Sequence, residues 1–266
     1  MDKVSVIERY KREEDKLLVS KLFDKINLME RQNKIQVTDF LSPIELQIMK
    51  DVLKRIDFEN YKVYGGIEDA QRNIVIIFPD KLKQLFEGDL FDYNSICNCI
   101  RITNVEGELD HRMYLGGLIK LGVKREKIGD IIVNKNGADI VVCKEIAKFL
   151  LNDLNSLTRF KNCNVQVIDL ADITKKEQEF EEYKVIISSL RLDNIVAELA
   201  RTSRNKATEI LEQERVSINY RCETKATKTI NCDDIVTIRG VGKFIITEFS
   251  GNTKSGKIVL LVKKYV

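Results

Sequence analysis

Apolar residues in the N-terminal part of the chain recur at the spacing of helices. From Leu18 to Met29 they return every third or fourth position, which places them on one helical face. A second helical pattern opens with Ser42, a residue type that caps helices, and with Pro43 in the first-turn position that suits proline. The sequence therefore predicts a helical N-terminal domain over residues 1–60.

The next part of the chain alternates between strand-like and helix-like patterns. The predicted strands are NIVIIFP (73–79), SICNCIRIT (95–103), IGDIIV (128–133), DIVVC (139–143) and NVQVIDL (164–170). The predicted helices are LDHRMYLGGLIKLG (109–122) and KEIAKFLLNDLNSL (144–157). Strands with two helices over one face form an RRM-like α/β sandwich, so we predict a central α+β domain over 61–183.

The acidic segment TKKEQEFEEY (174–183) is predicted to be a solvated linker or an exposed helix. After it, RLDNIVAELA has the spacing of a helix with one apolar face, and Ser203 is suited to cap a second helix. Four alternating or apolar runs follow, ending with KIVLLVKKYV. We therefore predict a third domain over 184–266, and an α+β multidomain protein.

Charge is distributed unevenly between these parts. The whole chain has 44 Lys and Arg against 41 Asp and Glu, a net charge of +3. Residues 184–266 contain 15 basic and 9 acidic residues, a net of +6, which leaves 29 against 32, or −3, for residues 1–183. Such asymmetry points to nucleic acid or another anionic surface as the partner of the C-terminal part.

Composition excludes several other classes. The hydrophobic fraction of 44% and charged fraction of 32% are those of a globular protein, and the longest apolar runs are strand-sized, so no membrane partner is expected. The charged N-terminus predicts no secretory signal and therefore a cytoplasmic protein. Six scattered cysteines are interpreted as reduced thiols, and no metal or cofactor is expected.

The segment RTSRNKATEIL (201–211) places three cations, Arg201, Arg204 and Lys206, at the predicted start of a helix. A helix start favours acidic residues, but its free N–H groups also bind phosphate, and nearby cations strengthen such a site. The alternative is an ordinary solvated surface. Local sequence leaves both open, and the charge asymmetry favours nucleic acid.

Other motifs have two interpretations each. KLGVKREKIGD (120–130) is either an exposed basic loop or a second phosphate-contacting surface. His111 beside Asp110 has the chemistry of a general base, but no nucleophile arrangement surrounds it, so a structural or RNA contact is favoured. Gly116 and Gly117 are interpreted as sites of close packing on the sheet. No exposed aromatic residues for base stacking are evident, and tryptophan is absent, which favours recognition of folded RNA by backbone and shape.

GNTKSGK (251–257) copies most of a phosphate-binding P-loop. Ile258 stands where that motif needs Ser or Thr for magnesium, and a predicted strand follows instead of a helix. GVG (240–242) likewise lacks the helix of a dinucleotide site. Both are predicted to be turns between strands, and nucleotide hydrolysis is not expected.

Two stretches taken together, RLDNIVAELARTSRNKATEILEQERVSINY and DDIVTIRGVGKF, resemble the αL-type RNA-binding module. This ribosomal-protein-S-four-like module is shared by the fourth small-subunit ribosomal protein, tyrosyl-tRNA synthetases and many pseudouridine synthases. Together with LDHRMYLGGLIKLGVKREKIGDIIV (109–133) and YGGIEDAQRNIVIIFPD (64–80), it makes most of the chain resemble the YlmH family of bacteria. The resemblance and the basic patches give these candidate RNA-binding residues: Arg191, Asp193, Arg201, Thr202, Ser203, Arg204, Lys206, Asn219, Arg239, Lys243, His111, Arg112, Lys124, Arg125 and Lys127.

The family resemblance implies a non-enzymatic RNA-binding protein that acts in ribosome-associated quality control. Its expected partners are rRNA of the large ribosomal subunit, peptidyl-tRNA and a factor that tails stalled nascent chains, with a monomer as the default state. The alternative is an RNA-modifying enzyme, such as a pseudouridine synthase, that uses the C-terminal module for targeting; no catalytic Asp or glycine-rich cofactor loop supports it. A cell-division scaffold, the third hypothesis, has no residue-level support.

Overall fold

The computed structural model describes residues 3–173, 180–253 and 256–265. The chain divides into two compact units, Met1–Lys176 and Glu177–Val266. The predicted N-terminal and central domains therefore lie together in the first unit. Within the described ranges, no helix is long and apolar enough to cross a membrane.

The first unit contains two antiparallel sheets and six helices among its described residues. The helices are α1 (Lys3–Ile7), α2 (Glu13–Gln32), α3 (Pro43–Arg55), α4 (Lys83–Glu87), α5 (His111–Lys120) and α6 (Lys144–Asp153). The strands are β1 (Gln36–Val37), β2 (Tyr61–Tyr64), β3 (Ile74–Ile77), β4 (Cys97–Thr103), β5 (Ile128–Asn134), β6 (Gly137–Cys143) and β7 (Asn164–Ile168). The sheet orders are β1-β3-β2 and β5-β6-β4-β7.

The predicted N-terminal helices are present as α2 and α3. Ser42 caps α3 in a capping box: its N–H donates to a Glu45 carboxylate oxygen at 2.7 Å, and the Glu45 N–H points back to the Ser42 hydroxyl at 3.4 Å. The segment is not purely helical, however, because β1 pairs with β3. The apolar faces of α2 and α3 pack against Val75 and Ile77 of β3, which supply the surface that two helices alone lack.

The four-stranded sheet is covered on both faces. Helices α5 and α6 cover one face, as predicted, through a core that includes Ile100, Tyr114, Ile140, Leu150 and Phe160. The other face packs against the three-stranded sheet and its flanking loops through Phe40, Ile76, Phe78, Cys97, Cys99 and Val141. All seven residues of β6 are buried, because its two faces contribute to two different cores rather than to one core and solvent.

The second unit is one six-stranded antiparallel sheet with two helices on one face. Its described elements are β8 (Phe180–Ile187), α7 (Leu192–Leu199), α8 (Arg204–Glu212), β9 (Val216–Ile218), β10 (Arg221–Cys222), β11 (Ile235–Ile238), β12 (Gly242–Asn252) and β13 (Ile258–Tyr265). The strand order is β10-β9-β11-β12-β13-β8. The helices bury Leu192, Val196, Ala207 and Leu211 against the sheet.

The prediction of a linker or helix over 174–183 is wrong for residues 180–183, which begin β8. Residues 174–179 lie outside the described ranges, but Phe180 begins a strand that pairs with β13. In this register Glu181 and Glu182 lie opposite Lys264 and Lys263, and the Glu182 and Lys263 side chains are 2.9 Å apart. Residues 180–183 of the acidic stretch therefore belong to a strand, where Glu181 and Glu182 complement the basic residues of the neighbouring strand.

The described residues of the P-loop-like segment lie where one strand ends and the next begins, as predicted. The segment connects β12 to the antiparallel β13, with the Thr253 N–H donating to the Lys257 carbonyl at 2.7 Å. The Lys257 N–H in turn donates to the Thr253 hydroxyl at 3.0 Å. The segment 240–242 is likewise the turn between β11 and β12.

Candidate nucleic-acid interface

Helix α7 ends in a Schellman motif with an arginine at the left-handed position. Arg201 has φ of 50°, its N–H donates to the Glu198 carbonyl at 3.1 Å, and the Thr202 N–H donates to the Ala197 carbonyl at 2.8 Å. Glycine is the usual residue at this position, because a Cβ raises the energy of left-handed backbone. The exposed Arg201 side chain makes no ion pair or side-chain hydrogen bond with any residue that the structure describes. Its guanidinium therefore remains available to a partner.

Asp193 holds two of the predicted cations at one place. Arg191 donates to its carboxylate at 3.1 and 2.8 Å, and Arg204 donates at 3.0 and 2.9 Å. The Asp193 side chain is 5% exposed, whereas those of Arg191 and Arg204 are 40% and 51% exposed. Burial acts to raise the pKa of Asp193, but the hydrogen bonds from both arginines outweigh it and lower the pKa. The predicted RNA-binding residue Asp193 is thus a buried anchor that orients two surface guanidiniums.

The start of α8 combines a cap with cations, as predicted. The Lys206 N–H donates to the Ser203 hydroxyl at 3.3 Å, and the first turn contains no acidic residue. By the geometry of a helix start, the N–H groups of Arg204 and Asn205 also face outward. Lys206 forms a pair with Glu209 at 2.8 Å in which both side chains are more than half exposed. Such surface pairs contribute little, so Lys206 can exchange this partner for phosphate.

The other C-terminal candidates differ in what already binds them. Asn219 donates to Asp234 at 2.7 Å and accepts from the Ile235 N–H at 2.9 Å, so its amide fixes the turn after β9. Arg239 is exposed in the turn before β12, and only its backbone is engaged, with Arg215. The Asn219 side chain is therefore engaged within the protein, whereas the Arg239 side chain has no partner among the described contacts.

Lys243 lies in an aromatic cluster that sequence reasoning missed. Its ammonium donates to the Tyr220 hydroxyl at 2.9 Å and lies 4.3 Å from the centre of the Tyr265 ring. Phe180, which is 38% exposed, meets Tyr265 edge-to-face at 5.0 Å. These rings come from β8, β13 and the turn after β9, so no local motif could have revealed them.

Two of the four cations in the basic loop at 120–130 have partners within the first unit. Arg125 donates to the Ile128 carbonyl at 2.7 Å, and burial together with nearby Arg72 lowers the pKa of Arg125 to about 10. Lys127 contacts both Asp39 and Glu145. Burial acts against its charge, but these two carboxylates raise the pKa of Lys127. Arg125 and Lys127 thus have internal partners.

Three candidates of the central region are exposed at or near α5. Arg112 and Lys124 have no ion pair or side-chain hydrogen bond within the described residues. His111 begins α5, and partial burial followed by the charge of Arg125 lower its pKa, which favours the neutral ring. Asp110 accepts from the Met113 N–H at 2.8 Å and is the cap of α5. Its carboxylate therefore has a structural role beside the single histidine.

The two helix glycines differ. A Cβ at Gly117 would lie 2.5 Å from the ring of Phe160, so this glycine allows close packing against the turn at 158–160 rather than on the sheet as predicted, whereas a Cβ at Gly116 would meet nothing within 4 Å. Gly116 instead lines an open groove of about 1000 Å³ between α5 and residues 157–160. Packing therefore explains one glycine only.

The structure describes no metal centre or disulfide. Among its described residues, no three His, Cys, Asp or Glu side chains lie together as metal ligands, and all six cysteines are free. Burial raises the pKa of Cys97, Cys99 and Cys143 to about 12. Only Cys222 and Cys232 are exposed.

Three kinds of comparison with known proteins give matches. Residues 92–173 match the family described as "Putative RNA-binding domain in YlmH". Over 96% of both chains, the protein is 27% identical to ribosome-associated protein quality control protein P2 of Bacillus subtilis. The structure of the cell division protein YlmH from Streptococcus pneumoniae aligns with a TM-score of 0.48 at 17% identity, over 62% of this chain and 98% of that one.

The family match covers most of the four-stranded sheet with α5 and α6, and the Bacillus subtilis relative aligns along nearly the whole chain. Of the stretches on which the sequence resemblance was based, 109–133 lies within the family match. The chain is therefore similar to the YlmH family over residues 92–173 and, at 27% identity, to the Bacillus subtilis protein along most of its length.

Proposed function

We propose that this protein is a non-enzymatic RNA-binding protein of the large ribosomal subunit, which binds rRNA and tRNA during ribosome-associated quality control. In this role it would support C-terminal tailing of stalled nascent chains in the cytoplasm. The name of the Bacillus subtilis relative and the description of the matched family support this role. Neither name describes a chemical reaction.

The observation that carries the proposal is the set of exposed cations of α7 and α8, which we call the α7–α8 surface. Arg191 and Arg204 are held at the surface by one buried carboxylate, and Arg201, just after the end of α7, has no internal partner among the described residues. Each guanidinium has five N–H donors, of which Asp193 takes two from Arg191 and two from Arg204. The remaining donors and the start of α8 suit phosphate oxygens.

The arrangement of the second unit supports its assignment as an αL-type module. Two short helices pack on an antiparallel sheet, and the second helix carries the cations at its start. In the first unit we assign the four-stranded sheet with α5 and α6 as an RRM-like domain. Because its second sheet face is buried, this domain would contact RNA through its helices and loops rather than by stacking bases on the sheet.

Sedimentation with purified large ribosomal subunits tests the proposal. We expect the wild-type protein to travel with the subunits at physiological salt. The variant Arg201→Ala/Lys206→Ala should bind more weakly, with a log–log salt slope lower by about two. The matched control is Lys184→Ala/Lys257→Ala, which removes the same charge from exposed positions of β8 and the β12–β13 turn.

If the wild type stays at the top of the gradient, the ribosomal role is wrong. If both double variants bind equally, the ribosomal role stands but the α7–α8 surface is not the contact. Subunits with and without peptidyl-tRNA separate the two RNA partners: tighter binding to the peptidyl-tRNA complex is expected.

A further inference from the structure

The groove beside α5 is formed by one helix face and a turn. We call it the α5 groove, and its lining residues are Glu106, Glu108, Leu109, Asp110, Arg112, Met113, Gly116, Gly117, Lys120, Leu157, Thr158, Arg159 and Phe160. Its volume of about 1000 Å³ exceeds what one side chain or a few water molecules would occupy. It lies in the part of the chain that matches the family's RNA-binding domain.

The cations of the α5 groove have no described internal partners. Arg112 and Lys120 lie eight residues apart on α5, about 12 Å along the helix axis. Arg159 lines the groove from the turn. None of the three forms an ion pair or side-chain hydrogen bond within the ranges that the structure describes. Their spacing suits separate phosphates of one extended anion rather than a single small anion.

The acidic residues of the groove all precede α5. Asp110 caps the helix through the Met113 N–H, and Glu106 accepts from the Asn162 amide at 2.9 Å. Glu108 is the third acid. Two of the three carboxylates thus already accept hydrogen bonds from the protein, whereas the cations on α5 and the turn are uncommitted.

Gly116 lies on the same face of α5 as Arg112 and Lys120, four residues from each. A glycine inside a helix lowers helix stability relative to alanine, and no neighbouring atom here requires it. Its effect is to leave the groove without a side chain between two cations. Glycine at such a point allows a ligand backbone to approach the helix closely.

The face of the four-stranded sheet opposite α5 and α6 cannot bind RNA. The sheet face that carries Cys97, Cys99 and Val141 is buried against Phe40 and Ile76. Bases cannot stack on a covered sheet, so an RNA contact of this domain must use the helical side or the loops.

We propose that the α5 groove binds the sugar–phosphate backbone of folded RNA. Arg112, Lys120 and Arg159 contact phosphates, and Gly116 lets the backbone lie close to α5. This inference rests on the proposed function, because it names the second RNA-contacting surface of the same protein. Together with the α7–α8 surface, it would give two linked contacts whose avidity exceeds that of either one.

Salt-dependent binding of the full chain to purified large ribosomal subunits tests the groove. The triple variant Arg112→Ala/Lys120→Ala/Arg159→Ala should lose roughly tenfold or more in affinity, with a log–log salt slope lower by about three. The control Lys135→Ala/Lys144→Ala/Lys148→Ala removes the same charge from exposed positions outside the groove and should bind as wild type. The variant Gly116→Leu fills the groove without changing charge and should weaken binding at an unchanged melting temperature or above.

The outcomes separate the two proposals. If the wild type does not bind subunits, both fail. If the wild type binds and the groove triple variant equals its control, the groove inference alone is overturned. A loss of affinity with an unchanged salt slope would indicate a protein segment in the groove and would also overturn it.

A tethered-cleavage experiment gives a direct readout. In a Cys222→Ser/Cys232→Ser background the four remaining thiols are buried, so a hydroxyl-radical probe can be attached at Gly116→Cys. We expect cleavage of rRNA strands in the bound subunit near this position. Intact rRNA around a bound, labelled protein would overturn the proposal.

Discussion

The α7–α8 surface and the loop at 120–130 contain comparable numbers of cations, but the structure uses them differently. At the α7–α8 surface, one buried carboxylate orients two arginines that remain 40% and 51% exposed. In the loop, Arg125 is engaged by backbone carbonyls, and Lys127 contacts two carboxylates. The availability of a cation is therefore set by how much of its side chain stays exposed once its internal contacts are made, 40% and 51% for the two arginines against 25% for Lys127, rather than by the local density of charge.

The largest expected effect concerns the anchor of the first surface. Asp193→Ala removes a buried acceptor of two arginines, so the free energy of unfolding should fall by about 2–3 kcal/mol, with RNA affinity reduced because the guanidiniums lose their fixed positions. Urea unfolding and subunit binding measure the two effects. A variant as stable as wild type would show that Asp193 is not an anchor.

A smaller effect is expected in the loop. Arg125→Ala removes hydrogen bonds to the carbonyls of Ile128 and Gly129, so unfolding free energy should fall by about 1–2 kcal/mol. The salt slope of subunit binding should not change, since this side chain is engaged internally. A slope lower by about one would instead show that Arg125 contacts phosphate and would remove the contrast between the two regions.

Arg201→Gly should separate stability from binding. Glycine is favoured at the left-handed end of α7, so the unfolding free energy should rise by about 0.5–1 kcal/mol. Subunit affinity should fall at the same time because a phosphate contact is lost. Thermal unfolding and sedimentation of the same sample provide both values. A variant that is more stable and binds as tightly as wild type would refute the role of Arg201.

The smallest expected effect is a pH dependence. The pKa of Asp193 is lowered in the folded protein, so its contribution is present above the ordinary pKa of an aspartate and is lost as pH falls through the folded value. Wild type should therefore lose more stability between pH 6 and pH 3 than Asp193→Asn does. Equal losses in urea titrations at both pH values would show that the arginines do not hold this carboxylate ionised.

Sequence and structure agree where a signal is contained within a few residues. The helical spacing of 18–29, the cap at Ser203 and the turn at 251–257 are all determined by neighbouring residues. The cationic helix start was also visible, because its residues are consecutive. The sequence did not reveal which cations have an acidic partner within the protein. Asp193 lies eleven residues from Arg204, and Asp39 lies 88 residues from Lys127.

By itself, the sequence of this protein determined the helices, most strands, the caps and the uneven charge, because periodicity and capping act over one or two turns of chain. Only the tertiary structure decided that 180–183 joins a strand, since the charges of Glu181 and Glu182 are complemented by β13 more than 80 residues later. It also decided that a second sheet covers one face of the four-stranded sheet and that Arg125 and Lys127 are bound internally. These outcomes depend on which distant segments meet, and local patterns of hydrophobic and polar residues do not encode that choice.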